Sequence, residues 1–520
     1  MKILFTVQKL LNAASVLIIL FAAIPLYFIQ YSLKELSWNE LSAIYGYYLT
    51  PLVRTILLAT VTGVLALIFA AIAMGAVAGL RPRFRKLMTF MFAIPLLFPP
   101  YIAAISYIDI FKSPVGLGLM GRSPTTEFFQ AASVLSLFLY PYSFLLIKNR
   151  FEMIDSSHRK IISIYPWGAI EKIRLLYWPH LKGALFNGFL LTFMYVVADF
   201  GAVSILRMDT LTTELYQSMV LRFEYGEGSL LSLILLGIAA TILIVGSRII
   251  SQPVSSLRKN DFNVSVSQTT FFEKITSYVI IIGLIFFSVI VPFIKIFQWF
   301  IQFIQEKSAL KDIWFDLALF TNTIITTVVI ALIVVSTSQI IAFLGQIAQL
   351  FSQHSHISKV VYYVTSLLHA LPAIVIVFSI LVFKYTTPFA VSHALFFLFF
   401  AYVLRYIGVA FLTISPAVMT IPQAYLRIGA TFIPNITEQV RLIVLPYTKK
   451  YLFQSGNYIY LLSLRELTIP LILLPLGMNV LSVQIWQTAG EGLYVYASPA
   501  ILVLLMLSLP SLIWYIRSQT

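Results

Sequence analysis

Two carboxylates fall inside apolar stretches of the chain and occupy corresponding positions in its two halves. Asp199 and Glu466 are 267 residues apart, and each lies in a stretch long enough to cross a membrane. A carboxylate near the bilayer centre costs about 3 kcal/mol on insertion scales, so it normally faces the bundle interior, water or a partner. Paired acids in one membrane path would tolerate a cationic or hydrated-metal substrate better than an anion.

Two interpretations of these acids are open. Either both line a central path between the halves, or each locks a pair of helices through an ion pair. Arg465 is adjacent to Glu466 and Arg405 lies within another apolar stretch, so basic partners are available. The path is favoured, with Asp199, Glu466 and Arg465 as its predicted residues and an arginine partly offsetting Glu466.

The same separation relates two basic stretches that contain a proline. IRLLYWPHLKG occupies 173–183 and VRLIVLPYTKK occupies 440–450, and they align without gaps at 267 residues, so that Pro179 matches Pro446. A separation shared by the acids and by these stretches indicates an internal repeat.

The sequence lacks the groups that would hold a nucleotide or a metal. No Gly-x-x-x-x-Gly-Lys-Ser/Thr stretch and no Gly-Lys pair occurs, so the usual phosphate cradle is absent and ATP would be used by a partner subunit. There is no cysteine and no Ser/His/Asp cluster with catalytic spacing. His-Ser-His at 354–356 is interpreted as a solvated loop rather than a metal site. We therefore expect no enzyme activity, no metal site and no bound cofactor in this chain.

Composition places the chain in a membrane. Of its 520 residues, 60% are hydrophobic and 11% are charged, whereas a soluble domain carries about 25% charged residues. Strand-like alternation is absent, so an all-α fold is predicted. The net charge of +15 is attributed to loops on the inner side of a membrane rather than to nucleic-acid binding.

Twelve spans of roughly 20 residues are predicted, six in each half, with no cleavable signal peptide before them. They are 11–32, 52–79, 87–110, 127–147, 184–206, 229–250, 274–300, 319–347, 358–382, 389–413, 452–475 and 498–516. Residues 251–273 are polar and contain Pro253, and they read as a linker. The predicted domains are therefore 1–250 and 274–520.

Prolines interrupt two of the predicted spans. Pro95, Pro99 and Pro100 fall in the third span, and Pro372 falls in the ninth. Their missing N–H groups free carbonyls that must be satisfied internally. Ordinary kinks in a packed bundle are favoured over broken helices.

The distribution of Lys and Arg predicts the orientation. With both termini in the cytoplasm, most basic residues lie in inner loops, and the opposite orientation reverses this bias. The loops 148–183 and 414–450 are then cytoplasmic. Each exceeds thirty residues and follows the fourth span of its half, and an ordered loop of this length is usually functional. An amphipathic helix within each would suit docking into a groove of a cytosolic partner.

These loops resemble a known motif. IDSSHRKIISIYPWGAIEKIRLLYWP (154–179) and IPQAYLRIGATFIPNITEQVRLIVLP (421–446) are similar in position, lead-in and closing proline to the coupling loop of binding-protein-dependent ABC importer permeases. In that family the loop docks into a cleft of the ATPase subunit. The core letters differ, because the family's leading Glu aligns with Lys160 and Arg427, so the chemistry of docking differs as well.

The resemblance implies two sets of ATPase-coupling residues. They are Lys160, Ile161, Pro166, Gly168 and Pro179 in the first loop and Arg427, Ile428, Gly429, Pro434 and Pro446 in the second.

Two further stretches resemble the fused ferric-iron permeases. VVADFGAVSILRMDTLTTELYQS (196–218) carries that family's Asp-Phe-Gly segment before a Thr-rich stretch, and LRELTIPLILLPLG (464–477) resembles its second half. Fused thiamine and phosphonate permeases are related to it.

The resemblance implies a permease of the type I ABC importer fold in a bacterial inner membrane. Its expected partners are the lipid bilayer, two copies of a cytosolic ABC ATPase, and a periplasmic or lipid-anchored solute-binding protein. Ferric iron is the first expected substrate, followed by thiamine and phosphonate. The alternative is a twelve-span secondary transporter driven by an ion gradient, which has no need for the two long inner loops.

Overall fold

A computed structural model gives the fold of the protein. The residues it describes are 15–16, 18–20, 23–25, 27–31, 34, 44–78, 80, 82–112, 123–154, 171, 173–250, 271–309, 316–351, 355–386, 394–433 and 435–519. Every regular element in these ranges is a helix, so the predicted all-α membrane fold is confirmed. Most of the predicted linker, 251–270, lies outside the described residues. Residues up to 250 are called the first half below, and residues from 271 the second half.

The α-helices are, in chain order, α1 Leu49–Ala78, α2 Pro82–Ala93, α3 Pro100–Lys112, α4 Pro124–Glu152, α5 Trp178–Ala198, α6 Gly201–Ile205, α7 Leu211–Tyr216, α8 Tyr225–Ile250, α9 Phe271–Ile285, α10 Val291–Ala309, α11 Leu317–Phe351, α12 Ser355–Ala370, α13 Ala373–Thr386, α14 Ala394–Met419, α15 Gln423–Phe432, α16 Ile436–Gln439, α17 Leu445–Leu464, α18 Thr468–Leu473, α19 Leu481–Gly490 and α20 Tyr494–Gln519.

Most of the predicted spans correspond to single long helices. Among the described residues, eight helices are long and apolar enough to cross a membrane, and two bent pairs raise the number to ten if each pair is one span. α1 is typical of these, with 30 residues and no acidic residue in its first turn. At 1.5 Å per residue it extends about 45 Å, more than the hydrocarbon core of about 30 Å.

Two predicted spans remain outside this count. Of the first, only part lies among the described residues, and those residues are helical. The eleventh corresponds to α17, a helix of 20 residues that carries Lys449, Lys450 and Asn457 and is therefore less apolar than the eight.

The prolines of the third and ninth predicted spans break their helices, so the expected kinks are a wrong interpretation. Arg83–Leu97 and Pro100–Ile108 meet at 84°, and Lys359–Ala370 and Ala373–Thr386 meet at 105°. Each proline lacks an N–H and its ring clashes with the preceding turn. Consecutive prolines at 99 and 100, and Pro372 after Leu371, therefore end one helix and begin another.

Three helices form the packed centre of each half. α1 packs against α4 and α5, and in the second half α11 packs against α14 and α17. Glycines allow close approach in both triads: a Cβ at Gly188 of α5 would lie 2.8 Å from the Ser143 hydroxyl of α4, and a Cβ at Gly456 of α17 would lie 2.7 Å from Gln339 of α11.

Short helices follow α5 and α17 and return the chain toward the broken spans. α6 packs on α3, which follows the first break, and α18 packs on α13, which follows the second break. These short helices interrupt the predicted spans 184–206 and 452–475 and place the ends of α5 and α17 beside the breaks.

Candidate functional site

The two halves share one cavity of about 190 Å³. Asp199 and Glu466 both line it, so the structure brings the predicted acidic pair together. The other ionisable residues of its wall are Arg465, Arg405, His369, Tyr101, Tyr142, Tyr195, Tyr406 and Tyr458. The cavity thus contains two carboxylates and two guanidinium groups, whose formal charges balance.

Asp199 lies at the end of α5 rather than inside a continuous span. Its backbone terminates α5, and its Oδ2 accepts hydrogen bonds from the N–H groups of Ala202 and Val203 at 2.9 and 3.1 Å. The first N–H groups of a helix have no partner within it, and a carboxylate at that end satisfies them. Asp199 therefore caps α6 with the oxygen that it turns away from the rest of the cavity.

Glu466 lies two residues after α17 and has a different partner. Its Oε2 accepts a hydrogen bond from the Tyr406 hydroxyl at 3.0 Å. Glu466 makes no ion pair within 4 Å among the described residues, so neither Arg465 nor Arg405 contacts it as expected from the sequence.

The backbone around the two acids is held by matching hydrogen bonds. The Thr212 hydroxyl donates to the Asp199 carbonyl at 2.7 Å, and the Ser482 hydroxyl donates to the Glu466 carbonyl at 2.7 Å. Each bond ties the residue after a long helix to the next short helix but one, α7 or α19.

A second matching pair fixes the starts of α7 and α19. The N–H of Leu211 donates to the Thr55 hydroxyl at 2.9 Å, and the N–H of Leu481 donates to the Thr327 hydroxyl at 3.0 Å. Both threonines are buried, and each also donates to the carbonyl four residues earlier, at 2.7 Å. The same framework thus holds Asp199 in the first half and Glu466 in the second.

Each arginine of the cavity donates to carbonyls at a helix break. Arg405 Nη1 donates to the carbonyl of His369 at 3.3 Å and also to that of Leu371, before the break at Pro372. Arg465 Nη1 donates to the carbonyl of Leu96, before the break at Pro99 and Pro100. Cations are favourable at carbonyl ends of helices, so these contacts stabilise both breaks.

Tyrosines form much of the remaining polar wall. Tyr142 and Tyr195 stack with ring centroids 4.7 Å apart and an interplanar angle of 19°. The Tyr101 hydroxyl is buried and has no hydrogen-bond partner in the described part of the chain. Sequence reasoning missed this cluster, because 28 tyrosines are spread along the chain and only the fold selects these five.

Of the predicted coupling residues, four lie outside the described residues: Lys160, Ile161, Pro166 and Gly168 in the first loop. Pro434 of the second loop lies outside them as well. The structure places the remaining five in two exposed regions.

α15 belongs to the second loop and carries an exposed apolar stripe. Tyr425, Ile428 and Phe432 are 48%, 53% and 77% exposed, and their spacing of three and four residues puts them on one helix face. Arg427 is also exposed but lies on the opposite face. The sequence analysis named Ile428 but missed its two aromatic neighbours, although their spacing is visible in the sequence.

Gly429 faces inward rather than toward a partner. A Cβ there would lie 2.6 Å from Cδ1 of Ile443, so the glycine allows α15 to pack on the segment Val440–Val444. That segment is one π-helical turn, as is Ile173–Tyr177 in the first half.

Pro179 and Pro446 are exposed and stand second in the α-helices that follow these turns. A proline ring clashes with the carbonyl four residues earlier in a regular helix, and the wider π turn gives it room. The two repeated stretches therefore share one local structure, a π turn followed by a proline at the start of α5 or α17.

The structure provides no metal centre in the part of the chain it describes. No group of three or more His, Cys, Asp or Glu side chains there could hold a metal ion. His354 lies outside the described residues.

The chain is similar to permeases of two transport systems. The Fe(3+)-transport system permease protein FbpB 2 of Haemophilus influenzae is 23% identical to it over 420 residues, which are 80% of this chain and 79% of the relative. The thiamine transport system permease protein ThiP of Brucella abortus is 27% identical over 220 residues, 40% of each chain. No family model matches the chain, and no solved structure gives a significant match.

Both relatives are permeases of ABC importers, so the class predicted from the coupling loops is confirmed. The chain is a multi-pass permease subunit of an ABC importer in the inner membrane. A secondary transporter driven by an ion gradient is not favoured. The relatives are transport subunits rather than enzymes, and as ABC permeases they imply ATPase and binding-protein subunits as partners.

Proposed function

We propose that the chain forms the path by which ferric iron crosses the inner membrane. The observation that carries this proposal is the cavity that Asp199 and Glu466 line together. Similarity to the ferric-iron permease extends over 80% of the chain and so covers both halves. Two carboxylates on one path favour a cation over an anion, because they lower the electrostatic energy of positive charge there.

Thiamine is the second candidate. Similarity to the thiamine permease covers 40% of the chain, and thiamine is also cationic. The shared charge means that Asp199 and Glu466 suit either solute.

The proposed organisation has two six-span halves, 1–250 and 274–520, joined by a linker, with both termini in the cytoplasm. Asp199 and Glu466 face the solute, and Arg465 positions the wall around it. Supporting the repeat, matching hydrogen bonds hold the chain after α5 and after α17.

Energy is proposed to come from two copies of a cytosolic ATPase, one docked on each long inner loop, because this chain has no phosphate-binding loop of its own. In the second loop, Tyr425, Ile428 and Phe432 are the apolar anchors, since exposed apolar side chains at helical spacing suit a groove. A binding protein outside the membrane supplies the solute, and no cofactor is held by the permease.

The cargo is tested by uptake in cells that express the permease with its neighbouring ATPase and binding-protein genes. Radioactive ferric iron and radioactive thiamine are supplied separately to cells with and without the permease gene. We expect permease-dependent and ATP-dependent uptake of iron. Uptake of thiamine alone would transfer the proposal to the second candidate, and uptake of neither would overturn both.

Docking is tested by co-purification of the ATPase with the full-length permease. Replacing Tyr425, Ile428 and Phe432 with serine removes the apolar stripe, and we expect the amount of bound ATPase to fall by about tenfold, because a few buried apolar anchors dominate such interfaces. Gln423→Ser on the opposite face of α15 is the matched control. Undiminished binding by the triple variant would remove α15 from the interface.

A further inference from the structure

Arg465 belongs to the second half, but its side chain is held by the first. Its Nη1 donates to the Leu96 carbonyl, and the guanidinium is also hydrogen-bonded to Tyr142 and lies near Tyr195. Arg405 offers a direct comparison, because its carbonyl partners, His369 and Leu371, belong to its own half.

The Leu96 carbonyl needs a partner from outside its own helix. In a regular helix it would accept from the N–H three or four residues later, but those positions are Pro99 and Pro100. Neither proline has an N–H. An unsatisfied carbonyl away from water costs several kcal/mol, so the guanidinium of Arg465 performs a task that no nearby backbone donor in the sequence can perform.

Other cross-half contacts lie beside this one. A Cβ on Gly201 would lie 2.8 Å from Cδ2 of Leu467, and Leu467 is two residues from Arg465. The Trp486 Nε1 donates to the Ser204 hydroxyl at 2.9 Å, and the Trp486 ring lies 5.7 Å from that of Phe200. The contact of Arg465 is therefore part of a continuous seam in which α6 of the first half meets the segment 465–486.

We propose that Arg465 is a positioning residue that latches the two halves together at the cavity. The proposal rests on the proposed function, in which a solute passes between the halves. While Arg465 holds the Leu96 carbonyl, the seam beside Glu466 stays closed. Opening the seam requires the guanidinium to leave that carbonyl.

The position of the latch links it to the solute. Glu466 follows Arg465 directly in the chain and faces the same cavity. A cation that draws Glu466 toward itself also displaces the backbone that carries Arg465. Arg405 has no such effect, because its contacts hold a break within the second half and do not cross the seam.

The test uses a disulfide across the seam of the full-length chain, which has no native cysteine. Gly201→Cys and Leu467→Cys are introduced together, since the leucine replacement removes the atom that a new Cβ at position 201 would meet. Membranes are treated with a mild oxidant, and the rate of cross-linking between the halves is measured after cleavage at a protease site inserted in the 251–270 linker.

Arg465→Gln in this cysteine pair should lower the initial cross-linking rate by about tenfold, the factor expected when a charge-assisted hydrogen bond is lost. Arg405→Gln is the matched control and should leave the rate within about twofold, because the same type of bond is lost away from the seam. Equal rates for wild type and Arg465→Gln, or equal losses for both arginine variants, would overturn the latch.

A second pair of variants separates the latch from a general loss of folding. Pro100→Ala restores an N–H that can reach the Leu96 carbonyl, so Arg465→Gln should lower the rate less in this background than in the wild type. Arg465→Lys keeps the charge and one donor and should give an intermediate rate. An undiminished effect of Arg465→Gln beside Pro100→Ala contradicts the role assigned to the Leu96 carbonyl. Cross-linking is read without transported solute, so its outcome is independent of whether the cargo is iron.

Discussion

Asp199 and Glu466 occupy corresponding places in the two halves, yet their side chains do different work. The carboxylate of Asp199 accepts from two N–H groups of α6. The carboxylate of Glu466 accepts from a tyrosine hydroxyl of α14 and from no backbone group among the described residues. One acid is largely engaged in holding its own chain, and the other is available to a solute in the cavity.

The frameworks beneath the two acids are, in contrast, the same. A hydroxyl of α7 or α19 holds the acid's carbonyl, and a buried threonine of α1 or α11 holds the start of that short helix. The comparison teaches that the repeat preserved the backbone bonds that shape the cavity, while the carboxylates took on separate functions. Unequal effects are therefore expected at the acids and equal effects at the threonines.

The largest expected difference concerns uptake. Glu466→Gln should lower iron uptake by at least about tenfold, since about 1.4 kcal/mol of lost attraction to the cation suffices for that factor. Asp199→Asn should have a smaller effect, because part of the carboxylate's charge already faces the N–H groups of α6. Radioactive iron uptake at equal membrane levels of each variant measures both. Equal losses would show that the two acids act alike on the solute.

The next effect is on stability and should be the same in both halves. Thr55→Val and Thr327→Val each leave a buried N–H without its acceptor, at a cost of about 1–3 kcal/mol. Thermal unfolding of the purified variants in detergent should show similar decreases. Thr60→Val is the control, because Thr60 is exposed and donates only to its own helix. A decrease confined to one half would contradict the common framework.

A smaller effect separates the cap of Asp199 from its charge. Asn is as good a helix cap as Asp, whereas Ala removes the acceptor at a cost of about 0.5–2 kcal/mol. Asp199→Ala should therefore unfold at a lower temperature than Asp199→Asn. If both variants unfold together, the bonds to Ala202 and Val203 contribute nothing measurable.

The smallest effect concerns Glu214 of α7, which lies outside the candidate spans. Burial raises the pKa of Glu214, and this outweighs the lowering by Arg222 at 3.7 Å. A raised pKa in the folded state favours folding below the unfolded pKa, and that contribution is lost as pH rises through the folded pKa. Glu214→Gln places in the first half the residue type that Gln484 supplies in the second.

Relative to wild type, Glu214→Gln should therefore be more stable at neutral than at acidic pH, by a small margin in unfolding temperature. Glu224→Gln serves as the comparison, because Glu224 is the more exposed acid beside Arg222, at 2.6 Å. A difference from wild type that is constant across this pH range would exclude the contribution assigned to Glu214.

The sequence by itself determined the class of fold, the positions of most spans and the correspondence between the halves. Hydropathy over about 20 residues is a local property that lipid selects directly, and it located α1, α4 and α8 without any tertiary information. The offset of 267 residues linked Asp199 to Glu466 because a repeated framework keeps equivalent positions at equal spacing.

Only the tertiary structure decided how those positions are used. A proline in a sequence predicts that a helix is disturbed, but bends of 84° and 105° depend on what packs around the break. Likewise, Arg465 is adjacent to Glu466 in the chain and was expected to neutralise it, yet it donates to the Leu96 carbonyl. The physical reason is that this carbonyl lacks a backbone donor, and its need is met by a side chain 369 residues away, a distance that no local pattern in the sequence can reveal.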